Sequence, residues 1–455
     1  MKKLLLFSTL FLLAFSSFAQ QEDSVFIRRI ADQVLVHGQA YDDLRVLTKQ
    51  IGGRLSGSPQ MVKAEQWGLK TFQSVQPDRA WLQECQVPHW VRGGKDAAVA
   101  RTKSGQTKEL DVLALGNSMG SGPKGVSGEV VEVRSYDELK EKKDLLKDKI
   151  VFYNYPFNQQ FIKTFQAYGD AVRYRSNGAS MAAQYGAKAV IVRSMTESTD
   201  NIPHTGALRY DSTYALIPAV AVGLQDADWL DATLQTQNID LTIKTNGHFL
   251  PDTTGHNVIA ELTGSEFPQQ YITIGGHLDS WDPAEGAHDD GTGVVQTIEV
   301  LRVLKALGYH PKHSIRFVLF ANEENGLRGG TKYAAEAQAK GEQHIFALES
   351  DEGGFTPRGF SLTGTDEQYR KLLSWQPLLC PYGGCEMTGG GGGSDIGPLY
   401  RTQKTATAGF SPDSQRYFDL HHARNDVFEA VNRRELELGA VNIAALVYLV
   451  DKYGF

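Results

Sequence analysis

Apolar residues recur at helical spacing over residues 21–73, interrupted by one polar turn, Gly52-Gly53-Arg54-Leu55-Ser56-Gly57-Ser58-Pro59. From about 80 to 116 the pattern switches to short alternating runs, which predict strands. Residues 117–249 change character again. Gly and Pro turns separate short apolar runs at 128–133, 149–153 and 189–192, with a helical stretch at 180–186 before the last. This predicts a separate small α/β module. From residue 255 the rhythm is strand, loop, helix, repeated. Tyr271-Ile272-Thr273-Ile274 reads as a short buried strand. Val294, Ile298, Leu301, Leu304 and Leu307 then fall on one helical stripe. Further strands are predicted at 315–320 and 345–348. Alternation of this kind predicts an α/β fold with a mostly parallel, doubly wound sheet and helices on both faces.

The amino terminus has a different pattern. Lys2 and Lys3 precede an apolar run from Leu4 to Phe15, and the small residues Ser17 and Ala19 follow. That arrangement reads as a cleaved signal peptide over 1–19, and the run is too short for a stable anchor. The expected mature protein is exported to the periplasm or outside the cell, with no membrane anchor after cleavage. With 41% hydrophobic and 22% charged residues, the composition is that of an ordinary globular protein. A formal net charge of −7 without a basic stripe excludes nucleic acid as a partner. Length argues for two or three domains. The division read from the pattern is a first unit at 20–116, an inserted module at 117–249, and the remainder of the first unit at 250–455. Of three cysteines, Cys380 and Cys385 lie close enough to pair around Pro381-Tyr382-Gly383-Gly384, which leaves Cys85 over.

Doubly wound sheets collect ligands beyond the carboxyl ends of their strands, and there the candidate chemistry lies. The strand at 271–274 runs into His277 and Asp279, and the next loop carries Asp289 and Asp290. The strand at 315–320 runs into Glu323 and Glu324, and that at 345–348 into Glu349, Asp351 and Glu352. Asp419, His421, His422 and Asp426 come later. Any one of these reads as a solvated loop charge; three successive strands ending this way do not. Carboxylates crowded at one sheet edge repel, and a bound cation removes that cost. His with Asp and Glu, and no Cys, suits zinc or another divalent ion of similar softness.

The stretches GGHLDSWDPAEGAHDDGTG (from Gly275), FANEENGLRGG (from Phe320), LESDEGG (from Leu348) and HHARND (from His421) resemble the zinc aminopeptidase and glutamate carboxypeptidase family of co-catalytic two-zinc exopeptidases. The likeness extends to VPHWVRG near Val87 and to a protease-associated-like module in the middle segment, and so spans nearly the whole mature chain. It implies two zinc ions per chain. His277 and Asp351 would hold one, Glu324 and His422 the other, and Asp289 would bridge them. Glu323 would be the general base that activates water on the metals. Asp279 would stand behind His277 and fix its ring tautomer, Asp290 would share a cis peptide with Asp289, and Asp395, after the glycine tract 389–393, would help orient substrate. His422 is preferred to His421 because Asp426 follows it by four residues, as in the family. The implied substrate is a dipeptide or short peptide, with aminopeptidase and carboxypeptidase-like dipeptidase both open, and the implied assembly is a homodimer.

Two other readings stand against this one. Gly116-Asn117-Ser118-Met119-Gly120 matches the serine-hydrolase G-x-S-x-G pattern, but Ser121-Gly122-Pro123-Lys124-Gly125 cannot open the helix that motif needs. A receptor-like or binding protein on the same scaffold would have lost ligand residues, whereas all five and the base are present. His288 is read as pocket wall, and His256, His310, His313 and His344 as surface residues without partners.

Overall fold

The computed structural model describes residues 21–455, so the expected signal peptide at 1–19 lies outside the described residues. Helices at 21–37, Ala40–Arg45 and Pro59–Ser74 lead into β1 (Arg79–Val91). The chain then builds a second sheet from β2 (Ala97–Thr102), β3 (Thr107–Leu110), β4 (Val112–Ala114), β5 (Val126–Val133), β6 (Ile150–Tyr153), β7 (Ala189–Arg193), β8 (Ala219–Val222) and β9 (Ile239–Lys244). It returns with β10 (His248–Leu262), β11 (Phe267–His277), β12 (His313–Phe320), β13 (Gln343–Glu349), β14 (Pro357–Thr363), β15 (Glu386–Gly389) and β16 (Ala406–Pro412).

The first sheet has the order β1-β10-β12-β11-β13-β16-β14-β15. Its centre, β12-β11-β13-β16, is parallel throughout. Antiparallel pairs flank it, β1–β10 and β10–β12 on one side and β14–β16 on the other. β14 and β15 pair in parallel as well, so the sheet is mostly parallel, as expected, with antiparallel pairs towards its margins. The strands at its antiparallel margins give the same apolar runs as the central ones, so pattern alone does not reveal their direction.

Both faces of the centre are covered. All eight residues of β12 are buried. Ile315, Phe317 and Leu319 pack on one side, with helices Thr292–Ala306 and Arg433–Tyr453, whereas Val318 and Phe320 pack on the other, against Tyr333, Ala334 and Leu399. This is the period-two alternation of a strand with a helix layer on each face.

The inserted unit begins earlier than its sequence pattern indicated. β2, β3 and β4, expected in the first unit, belong to the second sheet, where β2 pairs with β9 and β4 with β8. The boundary falls just after Val91 instead of at 117. Val91 pairs with His248 across the β1–β10 ribbon, so the chain leaves and re-enters the first sheet at adjacent positions. Alternating strands look alike whichever sheet they join, which is why the junction was not legible. Cys380 and Cys385 form a disulfide and Cys85 is free and buried. Three histidines expected at the surface have acid partners: His256 with Glu65 at 2.9 Å, His313 with Asp451 at 3.0 Å, and His344 with Glu342 at 3.4 Å.

Candidate metal centre

Three adjacent parallel strands deliver the acids and the first histidine to one edge. β11 ends at His277, β12 leads into Glu323-Glu324, and β13 ends two residues before Asp351. The tight turn Gly286–Gly291, which opens with Gly286 at φ 59°, brings in Asp289 just before helix Thr292–Ala306. His422 comes from the turn after the short helix Tyr417–Asp419 and is held at φ 61°, an uncommon conformation for a histidine that is kept where the surroundings over-determine it.

The five expected ligand residues converge. His277 Nε2 lies 3.1 Å from Asp289 Oδ1 and 3.2 Å from Asp351 Oδ1. His422 Nε2 lies 3.2 Å from Asp289 Oδ2 and 3.1 Å from Glu324 Oε2. One carboxylate thus faces two separate groups, with an oxygen turned to each. With zinc–nitrogen and zinc–oxygen bonds near 2.1 Å, neighbouring ligand atoms of a tetrahedral zinc lie about 3.4 Å apart, close to the spacings seen here. His421 stacks on His422 with ring centroids 3.5 Å apart, and its Nε2 stands 3.7 Å from Asp289 Oδ2, farther than His422.

The donor set fits cations on a second count. Asp289 Oδ2 and Glu324 Oε1 are buried without a hydrogen-bond partner, a state polar atoms in folded chains seldom keep. Burial, with the Asp289 charge added, pushes Glu324 up to about 8. Burial likewise raises Asp351 to about 6. Burial would lower His422, but Glu324 and Asp289 outweigh it and push the ring up to about 10. Without a metal the cluster holds protons as stand-in cations, and metal ions would displace them.

The surrounding carboxylates are only partly where the sequence reading put them. Asp279 meets His277 chiefly through its backbone carbonyl, 3.0 Å from Nδ1, with its carboxylate farther off at 3.8 Å. The carboxylate turns instead to the next strand end, accepting from the backbone N–H of Glu323 (2.9 Å) and Glu324 (3.3 Å). Asp290 accepts from the backbone N–H of His277 and Gly293 and so ties the strand end to the helix start, and the Asp289–Asp290 peptide is cis. Asp395 is fully buried and does not reach the cleft; its neighbour Ser394 borders it. Asp426, known before only by its spacing from His422, accepts from the backbone N–H of His288 and Asp289 and steadies the turn that presents Asp289. His288 is wall, as read, stacked on Phe355.

Sequence reasoning missed two arginines. Arg54 is fully buried and donates to the carbonyls of Leu278, Glu285 and Gly286, pinning the loops on either side of the site. Arg175 reaches in from the inserted unit to His422. The glycines around Arg54 hinted at a tight turn; nothing near Arg175 in sequence marked it. Ser118 does not act as a nucleophile: it is fully buried, and its Oγ accepts from the backbone N–H of Ala219. An open cleft of about 710 Å³ runs over the five ligand side chains and Glu323, and residues of the inserted unit line its opposite wall.

A buried acid and histidine cluster at the carboxyl ends of parallel strands, with unsatisfied oxygens and a free glutamate beside it, is the site of a metallohydrolase. Residues 257–447 match Peptidase family M28. Carboxypeptidase Q of Bos taurus is 32% identical over 423 residues, covering 92% of this chain and 86% of that protein. The crystal structure of a Peptidase M28 precursor from Shewanella amazonensis SB2B superposes with a TM-score of 0.90 at 30% identity, over 96% of this chain and 98% of that one. BSAP, a zinc aminopeptidase from Bacillus subtilis, shares the fold at a TM-score of 0.64 and 20% identity, over 90% of this chain and 94% of that one. The chain belongs to peptidase family M28 and is a metallo-exopeptidase.

Proposed function

We propose that this exopeptidase hydrolyses dipeptides or short peptides with two zinc ions per chain and Glu323 as general base, and that it works outside the cytoplasm. One observation carries the reading: the two oxygens of Asp289 face two different histidines, each with its own further carboxylate. His277 and Asp351 would hold one ion, Glu324 and His422 the other, with Asp289 between. The histidine and carboxylate donors, with no cysteine, match zinc, and the Bacillus subtilis neighbour BSAP is a zinc aminopeptidase.

When bound, such ions lower the pKa of water from 15.7 towards about 7 and polarise the scissile carbonyl. The chain's own residues do the rest. Asp279 holds the backbone N–H groups of both Glu323 and Glu324, which lets one glutamate face the ligand cluster while its neighbour faces the cleft. Glu323 takes a proton from the attacking water and passes it to the leaving amine nitrogen. The wall of the cleft keeps the peptide against this edge and limits the length that fits.

Metal analysis of the purified protein and of Glu323→Gln tests the reading. The expected result is two zinc ions in each, with kcat lower by about 10²–10⁴ in the variant. Fewer than two ions in the wild type, or full turnover in the variant, overturns it.

A further inference from the structure

The two histidines of the ligand cluster are steadied from different parts of the molecule. His277 closes β11, and its Nδ1 meets the backbone carbonyl of Asp279, two residues further on. The Asp279 carboxylate accepts from the backbone of Glu323 and Glu324. All of these contacts lie within the first unit. His422 is held from outside it. Its Nδ1 lies 3.2 Å from the Thr205 carbonyl, and its own carbonyl accepts from the Thr205 backbone N–H at 3.0 Å. The carbonyl of its neighbour His421 lies 2.8 Å from His204 Nδ1. His204 and Thr205 belong to the inserted unit, 217 residues before their partners.

These contacts decide which ring nitrogen faces the acids. A carbonyl only accepts, so Thr205 takes the proton of His422 Nδ1 and leaves Nε2 free to ligate. Arg175 Nη1, 3.3 Å from the same nitrogen, offers only a donor and does not compete for that proton. The segment that makes the contact is itself fixed. It lies between β7 and β8, with Thr205 fully buried and His204 5% exposed. The Thr205 hydroxyl donates to the Ala114 carbonyl at 2.9 Å. Gly116 N–H donates to the Gly206 carbonyl at 3.0 Å, and Leu208 N–H donates to the Gly116 carbonyl at 2.9 Å. The segment is thus stitched to the end of β4. Gly206 has φ 126°, and a Cβ there would lie 2.5 Å from His422 Nδ1. Only glycine lets this backbone come so close to the ring. His422, at φ 61°, keeps its uncommon conformation with its carbonyl tied to this segment.

We infer that the inserted unit is part of the metal site: His204, Thr205 and Gly206 are positioning residues for His422, and the ion held by Glu324 and His422 binds at full strength only while that unit is seated on the first, whereas the ion held by His277 and Asp351 does not depend on it. This rests on the two-zinc reading above. A hydrogen-bond partner behind a ligating histidine fixes its tautomer and its orientation, and losing one costs about 10–100-fold in metal affinity. The coupling is reciprocal: an ion that binds more tightly to the seated arrangement also holds the inserted unit in place by the same factor. The two ions are therefore unequal, one built into the first unit and the other shared across the junction.

The test measures both zinc affinities by competition with a chelator, on wild type, His204→Ala, His204→Asn and Gly206→Ala, with the Tm of each zinc-stripped protein alongside. In His204→Ala and Gly206→Ala one ion should bind as in wild type and the other about 10–100-fold more weakly. His204→Asn keeps a donor near the position of Nδ1 and should recover most of that loss. Hydrogen exchange on the wild type needs no variant to fold. Backbone amides of residues 204–208 should exchange more slowly with two zinc ions bound than with one. Equal weakening of both ions overturns the inference, because general destabilisation would do that. So do unchanged affinities in both variants, or exchange at 204–208 that ignores the second ion. Saturation of the wild type at a single ion overturns the two-zinc reading instead; two ions bound without regard to the inserted unit overturn only the role given to His204, Thr205 and Gly206.

Discussion

Two clusters of buried charge lie along the same strands and are built on opposite plans. Around Arg316, on β12, the chain supplies its own counter-ions. The guanidinium donates to Glu261 at 2.9 Å and to both oxygens of Glu342 at 2.6 and 2.9 Å, and lies 4.0 Å from the Tyr271 ring centroid. Past the carboxyl ends of β11, β12 and β13 the balance fails. Asp289, Glu324 and Asp351 crowd two histidines, and buried oxygens go without partners. The first cluster is complete as folded. The second becomes complete only with cations from outside, and that incompleteness marks it as the working part of the molecule.

The largest effect separating the two should come from Asp289→Ala. It removes the carboxylate between the two ligand groups, so zinc occupancy should fall below two ions and turnover below detection. Zinc should also stabilise the variant less than the wild type, because a ligand stabilises only the state that binds it. Elemental analysis and Tm with and without chelator check this; a variant holding two zinc ions would show that Asp289 is not the bridge.

Arg316→Met is the counterpart at the self-sufficient cluster. It leaves Glu261 and Glu342 buried without their cation, which should cost about 3–5 kcal/mol of stability. That cost should be the same with zinc present or stripped, and turnover per folded molecule should hold. Denaturant unfolding in both conditions reads the first point. A destabilisation that vanishes on chelation would mean the clusters are coupled and the contrast is false.

How far the sequence announces each cluster follows from the same contrast. His277, Glu323, Glu324 and Asp351 were legible because strand ends are where a doubly wound sheet puts its chemistry and because an acid there has no local partner to explain it, whereas Asp289 and His422, on loops, were told from Asp290 and His421 only by the family resemblance. The Arg316 network was not legible. Its members sit inside strands and a loop whose periodicity reads as ordinary core, and His344 beside Glu342 passed for a surface residue. Arg175 was invisible for a third reason: the inserted unit brings it 247 residues along the chain to His422, and no periodicity encodes that meeting. Asp279 was found but misassigned, since sequence gives the residue and not which of its oxygens, backbone or side chain, meets the ring.

That misassignment sets a smaller prediction. The Asp279 carboxylate holds the backbone of Glu323 and Glu324 rather than the His277 ring, so Asp279→Asn should disturb the base and its neighbour first. Its amide nitrogen would face backbone N–H donors. The expected loss is about 10–100-fold in kcat, with zinc content closer to wild type than in Asp289→Ala. If zinc is lost in step with activity, the residue acts on metal retention and the backbone hydrogen bonds are incidental.

The smallest effect is a pH dependence at the self-sufficient cluster. Burial works against the Glu342 carboxylate, but His344 and Arg316 outweigh it and draw its pKa from 4.5 down to about 2. A carboxylate lowered on folding contributes stability that is fully present above its unfolded value of 4.5 and fades as pH falls towards 2. Glu342→Gln keeps the shape and removes the charge. It should cost about 1.5–3 kcal/mol at pH 7, the range for hydrogen bonds to charged groups, and the gap between variant and wild type should narrow steadily between pH 4.5 and 2. Urea unfolding of zinc-stripped protein at pH 7 and pH 3 gives both numbers without interference from the metal centre. A gap that stays constant over that range would mean Glu342 acts through packing, and Arg316 would then be held by Glu261 alone.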